Sequence, residues 1–282
     1  MAGMDPHTML EEAVAELYDG TPPGELPRRW ERFSDVAILP NGSFEGAAWD
    51  ADERLWGAIG RALGAKRLAR TGEVSGEFRE SGVEMLLGED DWVVRRESGV
   101  DYGYPMTRCM FSAGNVNERR RMGEVPGEGE VIVDLYAGIG YYTLPALVHG
   151  GAMVHACEWN PEAIRALRWG LDANRVSDRC TVHEGDNRVT TESLSGVADR
   201  VIMGLLPSSE EGLGAALGVL SASGGVIHVH GLARPDGHGP WADGVVSSAS
   251  SIRTGSMAVE GVTRVKSYAP HWDHVVLDLR VA

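Results

Sequence analysis

Lysine is nearly missing from this chain. Of 26 basic residues only Lys66 and Lys266 are lysines, set against 41 acidic residues and a formal net charge of −15. Such a surface excludes bulk electrostatic attraction to nucleic acid, so any such contact must rest on local arginine clusters. An acidic, lysine-poor, arginine-retaining composition suggests a salty host interior or solubility tuned by acid. Cysteine is also scarce. Cys109, Cys157 and Cys180 are odd in number and show no Cys-x-x-Cys spacing, which argues against a disulfide framework and against a zinc site. Reduced thiols, no metal and a cytoplasmic location are expected. No apolar run approaches the length that spans a bilayer, so no membrane partner is expected. Met1 to Leu10 has neither a basic start nor an apolar core, and does not read as a signal peptide.

The 282 residues, 43% of them hydrophobic, suffice for two domains or one with an appendage. The organising stretch is Val131-Ile-Val-Asp-Leu-Tyr-Ala-Gly-Ile-Gly-Tyr-Tyr142. Val131 to Val133 is an apolar run of the kind buried on both faces of a parallel sheet. It ends at Asp134, a glycine-containing turn follows, and Tyr141 to His149 reads as a helix. Strand, acid, small-residue turn and helix describe a nucleotide-type pocket at the carboxyl end of a strand.

Upstream, Met9 to Tyr18 is a short amphipathic piece that reads as a frayed terminal helix, within a flexible segment 1–25. Val36 to Leu39 reads as a strand. Trp49 to Leu68 carries apolar residues at helical spacing. Its end, Arg61 to Arg70, holds four basic residues (Arg61, Lys66, Arg67, Arg70) and no acid. Two readings stay open there: a phosphate-facing patch, or cations suited to a helix C-terminus. Arg28, Arg29 and Arg32 surround Trp30 and Phe33 as a second cluster. Val83–Leu87 and Trp92–Arg96 read as two strands joined by a hairpin-like turn at 88–91. A Gly/Pro-rich link at 123–129 marks the boundary, giving a domain at 26–125 and another at 126–282.

Beyond that link, strands at 153–158, 180–183, 200–203 and 225–230 alternate with helices at 161–174, 213–221 and 241–252. Strands at 261–267 and 274–281 close a seven-stranded sheet with a reversed last strand. The pattern predicts a doubly wound α/β domain behind a smaller N-terminal α+β domain.

Gly138-x-Gly140 alone is a weak signal. The dinucleotide fingerprint wants glycine or alanine at 143, where Thr143 stands. A turn that need not hold a diphosphate, beside a carboxylate, suits a cationic nucleoside, and S-adenosylmethionine has that profile. Glu158 ends the second strand, where a carboxylate can accept both ribose hydroxyls. Asp186 and Asn187 end the third, where an acid and an amide can read the adenine edge. Asp134 either fixes the turn by accepting backbone N–H groups or touches the ligand. His155, His183, His228 and His230 lack a triad-forming neighbour and read as partly buried sheet histidines. Ser208 or Ser209 suits a helix cap after the fourth strand.

Asp134–Tyr141, His155–Pro161, Gly185–Arg188 and Leu206–Gly212, with Phe111-Ser-x-Gly-Asn-Val-x-Glu-Arg119 and Leu26–Trp30, closely resemble the tRNA wybutosine-synthesizing protein 2 family across roughly residues 26–282. The resemblance implies a class I S-adenosylmethionine-dependent methyltransferase-like, Rossmann-type domain. It also implies transfer of a 3-amino-3-carboxypropyl group from S-adenosylmethionine to the tricyclic 4-demethylwyosine base at position 37, in the anticodon region of phenylalanine tRNA. The matched cosubstrate contacts are Ser112, Arg119, Glu158, Asp186 and Asn187. Gly138 and Asp134 stand beside them. Arg119 would pair with the methionine carboxylate and Ser112 would orient it. No residue pattern identifies a catalytic base. The related tRNA guanine-37 N1-methyltransferases, the rival reading, carry an arginine where this chain has Gly114 and an asparagine where it has Gly204. Both departures favour aminocarboxypropyl transfer.

Overall fold

A computed structural model describes residues 5–76 and 80–282. The chain divides into two units, Met1–Arg95 with Tyr104–Phe111 and Arg96–Gly103 with Ser112–Ala282. The boundary expected near residue 125 is therefore displaced upstream. The reason is local: the helix at 116–124, expected in the N-terminal domain, uses its buried Glu118, Arg119 and Met122 within the second unit.

In the first unit, Asp5 caps helix α1 (Pro6–Ala15) and Pro6 takes the first turn, where its missing N–H costs nothing. Leu10 and Val14 are 0% exposed and join Leu39, Phe44, Leu55, Trp56 and Ile59 in one core. The flexible segment expected at 1–25 thus contains a docked helix, because two apolar residues four apart meet a partner. Strands β1 (Glu31–Phe33) and β2 (Val36–Leu39) precede helix α2 (Glu53–Ala62), and strands β3 (Arg67–Arg70) and β4 (Glu84–Leu87) follow it; together they form a sheet of order β1-β2-β3-β4. The long helix expected over 49–68 is shorter at both ends. Asp52 caps its start by accepting from the amides of Arg54 and Leu55. Gly64, at φ +62°, ends it, and Lys66 N–H then bonds Asp35 to begin the parallel β2–β3 pairing.

The expected hairpin is also re-paired. β4 lies antiparallel to β3, while β5 (Trp92–Glu97) pairs with β6 (Val100–Pro105). Their turn is Ser98-Gly99, both at positive φ, as a tight twist-matched hairpin requires. The base of this hairpin belongs to the first unit and its tip to the second.

The second unit is built as the alternation predicts. After helix α3 (Val116–Glu124) come β7 (Val131–Asp134), α4 (Thr143–Val148), β8 (Met153–Glu158), α5 (Pro161–Ala173), β9 (Cys180–Glu184), the single-turn α6 (Asn187–Thr190) and β10 (Arg200–Met203). Then follow α7 (Leu213–Val219), β11 (Gly225–Ala233), α8 (His238–Ile252), β12 (Met257–Ala269) and β13 (Trp272–Val281). The sheet order is β12-β13-β11-β10-β7-β8-β9, parallel except that β13 runs antiparallel to both neighbours. β7 lies between β10 and β8, where the strand order reverses, and open α/β sheets bind ligands at that switch point. No helix among the described residues is long and apolar enough to cross a membrane.

Leu10→Ala tests the docking of α1. The substitution should destabilise the first unit by about 2–5 kcal/mol, read as a lower denaturant midpoint. A frayed helix would leave the midpoint unchanged.

Candidate active site

Asp134, the last residue of β7, is 0% exposed. Its carboxylate accepts from Thr143 Oγ1 at 2.8 Å and from Tyr136 N–H at 3.3 Å. Thr143 occupies the position that a dinucleotide turn would give to glycine, and it does so as the hydroxyl partner of this buried acid. Of the two roles open for Asp134, the geometry favours fixing the turn. Burial raises its pKa to about 7, opposed by the Thr143 and Tyr136 bonds.

The turn itself demands glycine twice. A Cβ on Gly138 (φ +56°) would come within 2.5 Å of the Tyr141 ring, and one on Gly140 (φ +94°) within 2.7 Å of Leu144. Gly138 N–H donates to Glu158 Oε2 at 2.7 Å, tying the turn after β7 to the end of β8. The other oxygen of Glu158 accepts from Trp159 N–H (2.9 Å) and Asn160 N–H (2.8 Å). Burial pushes its pKa up against these three donors. Asn187 Nδ2 donates to the Leu135 carbonyl at 2.9 Å, drawing the end of β9 to the same turn. Asp186 caps α6 through Arg188 N–H (2.9 Å) and pairs with the Arg188 guanidinium, which holds its carboxyl below the usual range. Gly138, Glu158, Asp134 and Asn187 are thus gathered at one carboxyl edge, with Asp186 at its side.

Ser112 and Arg119 form a second group in the same unit. Arg119 is 2% exposed, and its fork is closed by Glu97 at 2.5 and 2.8 Å. It also donates to the Ser112 carbonyl at 2.9 Å. Arg119 thus joins Glu97 to the Ser112 loop; its expected pairing with the methionine carboxylate would have to use the guanidinium donors that these bonds leave over. Lys266, which sequence reasoning passed over, donates from Nζ to Ser112 Oγ at 2.5 Å. Its signal was its rarity, as one of two lysines in the chain. Asn115 hydrogen-bonds Tyr142 and so links this group to the turn.

After β10, a Cβ on Gly204 would meet the Tyr142 ring at 2.8 Å. Ser208, not Ser209, caps the next turn by accepting from Glu210 N–H (3.2 Å), while Ser209 is buried and donates to the His230 carbonyl (2.8 Å). His228 and His230 are buried outright. His228 lies between Arg200 (2.7 Å) and Asp278 (2.6 Å).

The basic clusters divide. Arg67 bonds Asp35 at 2.6 Å and the carbonyls of Asp90 and Trp92. Arg70 bonds Glu84 at 2.7 Å and the Ser43 carbonyl. The helix-terminus reading fails for these two residues, which lie on strand β3, mostly buried and with internal partners. Arg28, Arg29, Arg61 and Lys66 are exposed and carry no ion pair among the described residues. No group of three His, Cys, Asp or Glu among the described residues is arranged as metal ligands.

A seven-stranded sheet with a reversed last strand, a glycine turn at the switch point and an acid ending the second strand define a class I methyltransferase-like domain. The model for the TRM5/TYW2 methyltransferase domain matches residues 93–236, and that for the TYW2 N-terminal domain matches residues 10–91. The chain belongs to the TRM5/TYW2 family. It is 39% identical over 313 residues to the human tRNA wybutosine-synthesizing protein 2 homolog, covering 90% of this chain and 69% of that one. It is 45% identical over 264 residues to the Arabidopsis thaliana tRNA wybutosine-synthesizing protein 2/3/4, covering 91% of this chain. The chain spans about a quarter, 26%, of that plant relative's length. The structure of Pyrococcus horikoshii TYW2 in complex with MeSAdo superposes with a TM-score of 0.80 at 30% identity, covering 96% of this chain and 98% of that one.

The buried acid at the heart of the turn should be visible as a pH effect. An Asp134 carboxyl at about 7 lies well above its ordinary 3.8, so the folded form keeps a proton that the unfolded chain releases. Its contribution to stability is fully present below about pH 4 and is lost as pH rises through 7. Unfolding free energies at pH 5 and pH 8 should therefore shift in favour of Asp134→Asn at the higher pH. Parallel profiles would mean the carboxyl is ionised throughout.

Proposed function

We propose that this chain transfers the 3-amino-3-carboxypropyl group of S-adenosylmethionine to 4-demethylwyosine at position 37 of phenylalanine tRNA. The Cγ–S bond breaks, a bond forms from Cγ to a carbon of the tricyclic base, the sulfur keeps the electron pair, and the base carbon loses its proton. The co-product is 5′-methylthioadenosine. The MeSAdo held by the Pyrococcus horikoshii relative is of that chemistry.

The observation that carries this reading over methyl transfer is the likeness to TYW2 along both units: the TYW2 N-terminal domain model matches residues 10–91, and TYW2 of Pyrococcus horikoshii superposes at a TM-score of 0.80 against 0.70 for Trm5b of Pyrococcus abyssi. At Gly204 a Cβ would meet the Tyr142 ring at 2.8 Å. The residues present fit the nucleoside end. The tight turn at Gly138 leaves no room for a side chain, Glu158 is pre-oriented by three backbone donors, and Asp186 and Asn187 flank the turn. The sulfonium supplies three electrophilic carbons, and whichever lies in line with the nucleophile reacts. The chain's task is to select one arm and exclude the others.

For the tRNA, we assign the exposed Arg28, Arg29, Arg61 and Lys66 of the first unit as phosphate contacts, and that unit as the positioning part of the chain. The catalytic part is the second unit, in which the tip of the hairpin and α3 are joined to 126–282.

Mass spectrometry of position 37, after incubation of precursor tRNA with the protein and S-adenosylmethionine, tests the reaction. The aminocarboxypropyl increment with 5′-methylthioadenosine is expected. A methyl increment with S-adenosylhomocysteine as the sole co-product overturns it. Glu158→Ala should weaken S-adenosylmethionine binding at least roughly tenfold by calorimetry, the scale of one hydrogen bond to a charged group.

Few phosphate contacts also imply a shallow salt dependence. The slope of log affinity against log salt should be about −3 or shallower, and Arg28→Ala with Arg29→Ala should flatten it by roughly 1 to 2. A steep loss of affinity between low and moderate salt contradicts the assignment.

A further inference from the structure

We propose that Lys266 grips the carboxylate at the amino acid end of S-adenosylmethionine. The inference rests on the cosubstrate reading above and adds to it the residue that holds the arm to be transferred.

Position comes first. Lys266 stands near the end of β12, opposite His274 of β13. His274 in turn lies opposite Leu232 of β11, three residues beyond Val229, which faces Met203, the last residue of β10. Lys266 therefore lies past the carboxyl end of the central strands, on the rim where open α/β sheets take their ligands. A run of contacts joins it to the glycine turn. His274 bonds His230 at 2.9 Å, the His230 ring packs on Tyr142 with centroids 4.9 Å apart, and Tyr142 stands two residues after Gly140.

Space is the second observation. A Cβ built on Gly114 would meet Lys266 Cδ at 2.9 Å and Nζ at 3.3 Å. Glycine at 114 leaves the lysine stem free to lie over the loop, where its Nζ reaches Ser112.

Charge is the third. Lys266 is half-buried, and its hydrogen bond to Ser112 Oγ is to a neutral group. No carboxylate raises its pKa; burial and the nearby Arg119 both lower it. A half-buried ammonium with no counter-ion among the described residues is costly, in a chain that has 41 acidic residues. Arg119, by contrast, is neutralised by Glu97. The ammonium has three donors, and Ser112 Oγ–H points only weakly to Asn115, at 3.4 Å. Lysine and serine together offer two hydrogen-bond donors, one of them charged, which suits the two oxygens of a carboxylate.

Lys266→Met keeps the stem over Gly114 and removes the charge; Lys266→Arg restores a cation. Calorimetry with S-adenosylmethionine and with 5′-methylthioadenosine, which lacks the amino acid end, separates the grip from the pocket. Lys266→Met should lose about tenfold or more in affinity for S-adenosylmethionine and keep its affinity for 5′-methylthioadenosine, while Lys266→Arg should recover most of the loss. An equal loss for both nucleosides would make the lysine a structural strut, and no loss for either would put the carboxylate elsewhere; each overturns the proposal. A wild-type protein that binds neither nucleoside instead overturns the cosubstrate reading itself.

Discussion

The site depends on a carboxylate sealed into the end of β7. Asp134 has no solvent to lean on, so its two neighbours, the Thr143 hydroxyl and the Tyr136 amide, are held wherever they best satisfy it. Those two residues bracket the turn. Once they are fixed, the chain between them must reverse within a few residues, and Gly138 and Gly140 supply the positive-φ conformations that make this possible. The turn then presents the Gly138 amide to Glu158 and the Leu135 carbonyl to Asn187. One buried acid thereby sets the positions of three strand ends.

A second constraint is the disposal of cations in an acidic chain. Most arginines are spent internally. Arg119 closes on Glu97, Arg121 bridges Glu118 and Asp278, Arg200 joins Glu130 and His228, and Arg67 and Arg70 stitch the first sheet. These pairs are partly or wholly buried, where losing one partner strands the other and costs far more than the pair contributes. Few cations remain for an outside anion, so Lys266 on the sheet rim and the exposed Arg28, Arg29, Arg61 and Lys66 stand out. Affinity for an anionic ligand must then come from placement rather than from a broad positive field.

Much of the second unit was legible in the sequence. Buried parallel strands read as short apolar runs, and Val131–Val133, Met153–Glu158 and Arg200–Met203 were recognisable because each is bounded by a polar or glycine-containing turn. The acid ending β8 and the Asp-Asn pair after β9 could be placed because strand ends recur at fixed points of that alternation. The first unit was harder. A strand such as Arg67–Arg70 has no periodicity that separates it from a helix end, and its nearest parallel partner, Val36–Leu39, lies some thirty residues upstream. The 84–87 and 92–97 segments both read as strands, yet adjacency in sequence gave the wrong pairing. The positive-φ turn at Ser98-Gly99 makes the closer hairpin.

What the sequence by itself determined is the identity of the pocket: a glycine turn after an apolar strand, a threonine where a diphosphate turn wants glycine, and acids at the next two strand ends. These are local patterns, set by backbone conformation and strand termini. What only the tertiary structure decided is which charged groups are available. Arg119 and Lys266 look alike as cations in a string of letters. One is neutralised by Glu97, twenty-two residues upstream; the other arrives beside Ser112 from 154 residues away, with no ion pair among the described residues. Pairing across such separations depends on packing and desolvation, which periodicity and composition do not encode.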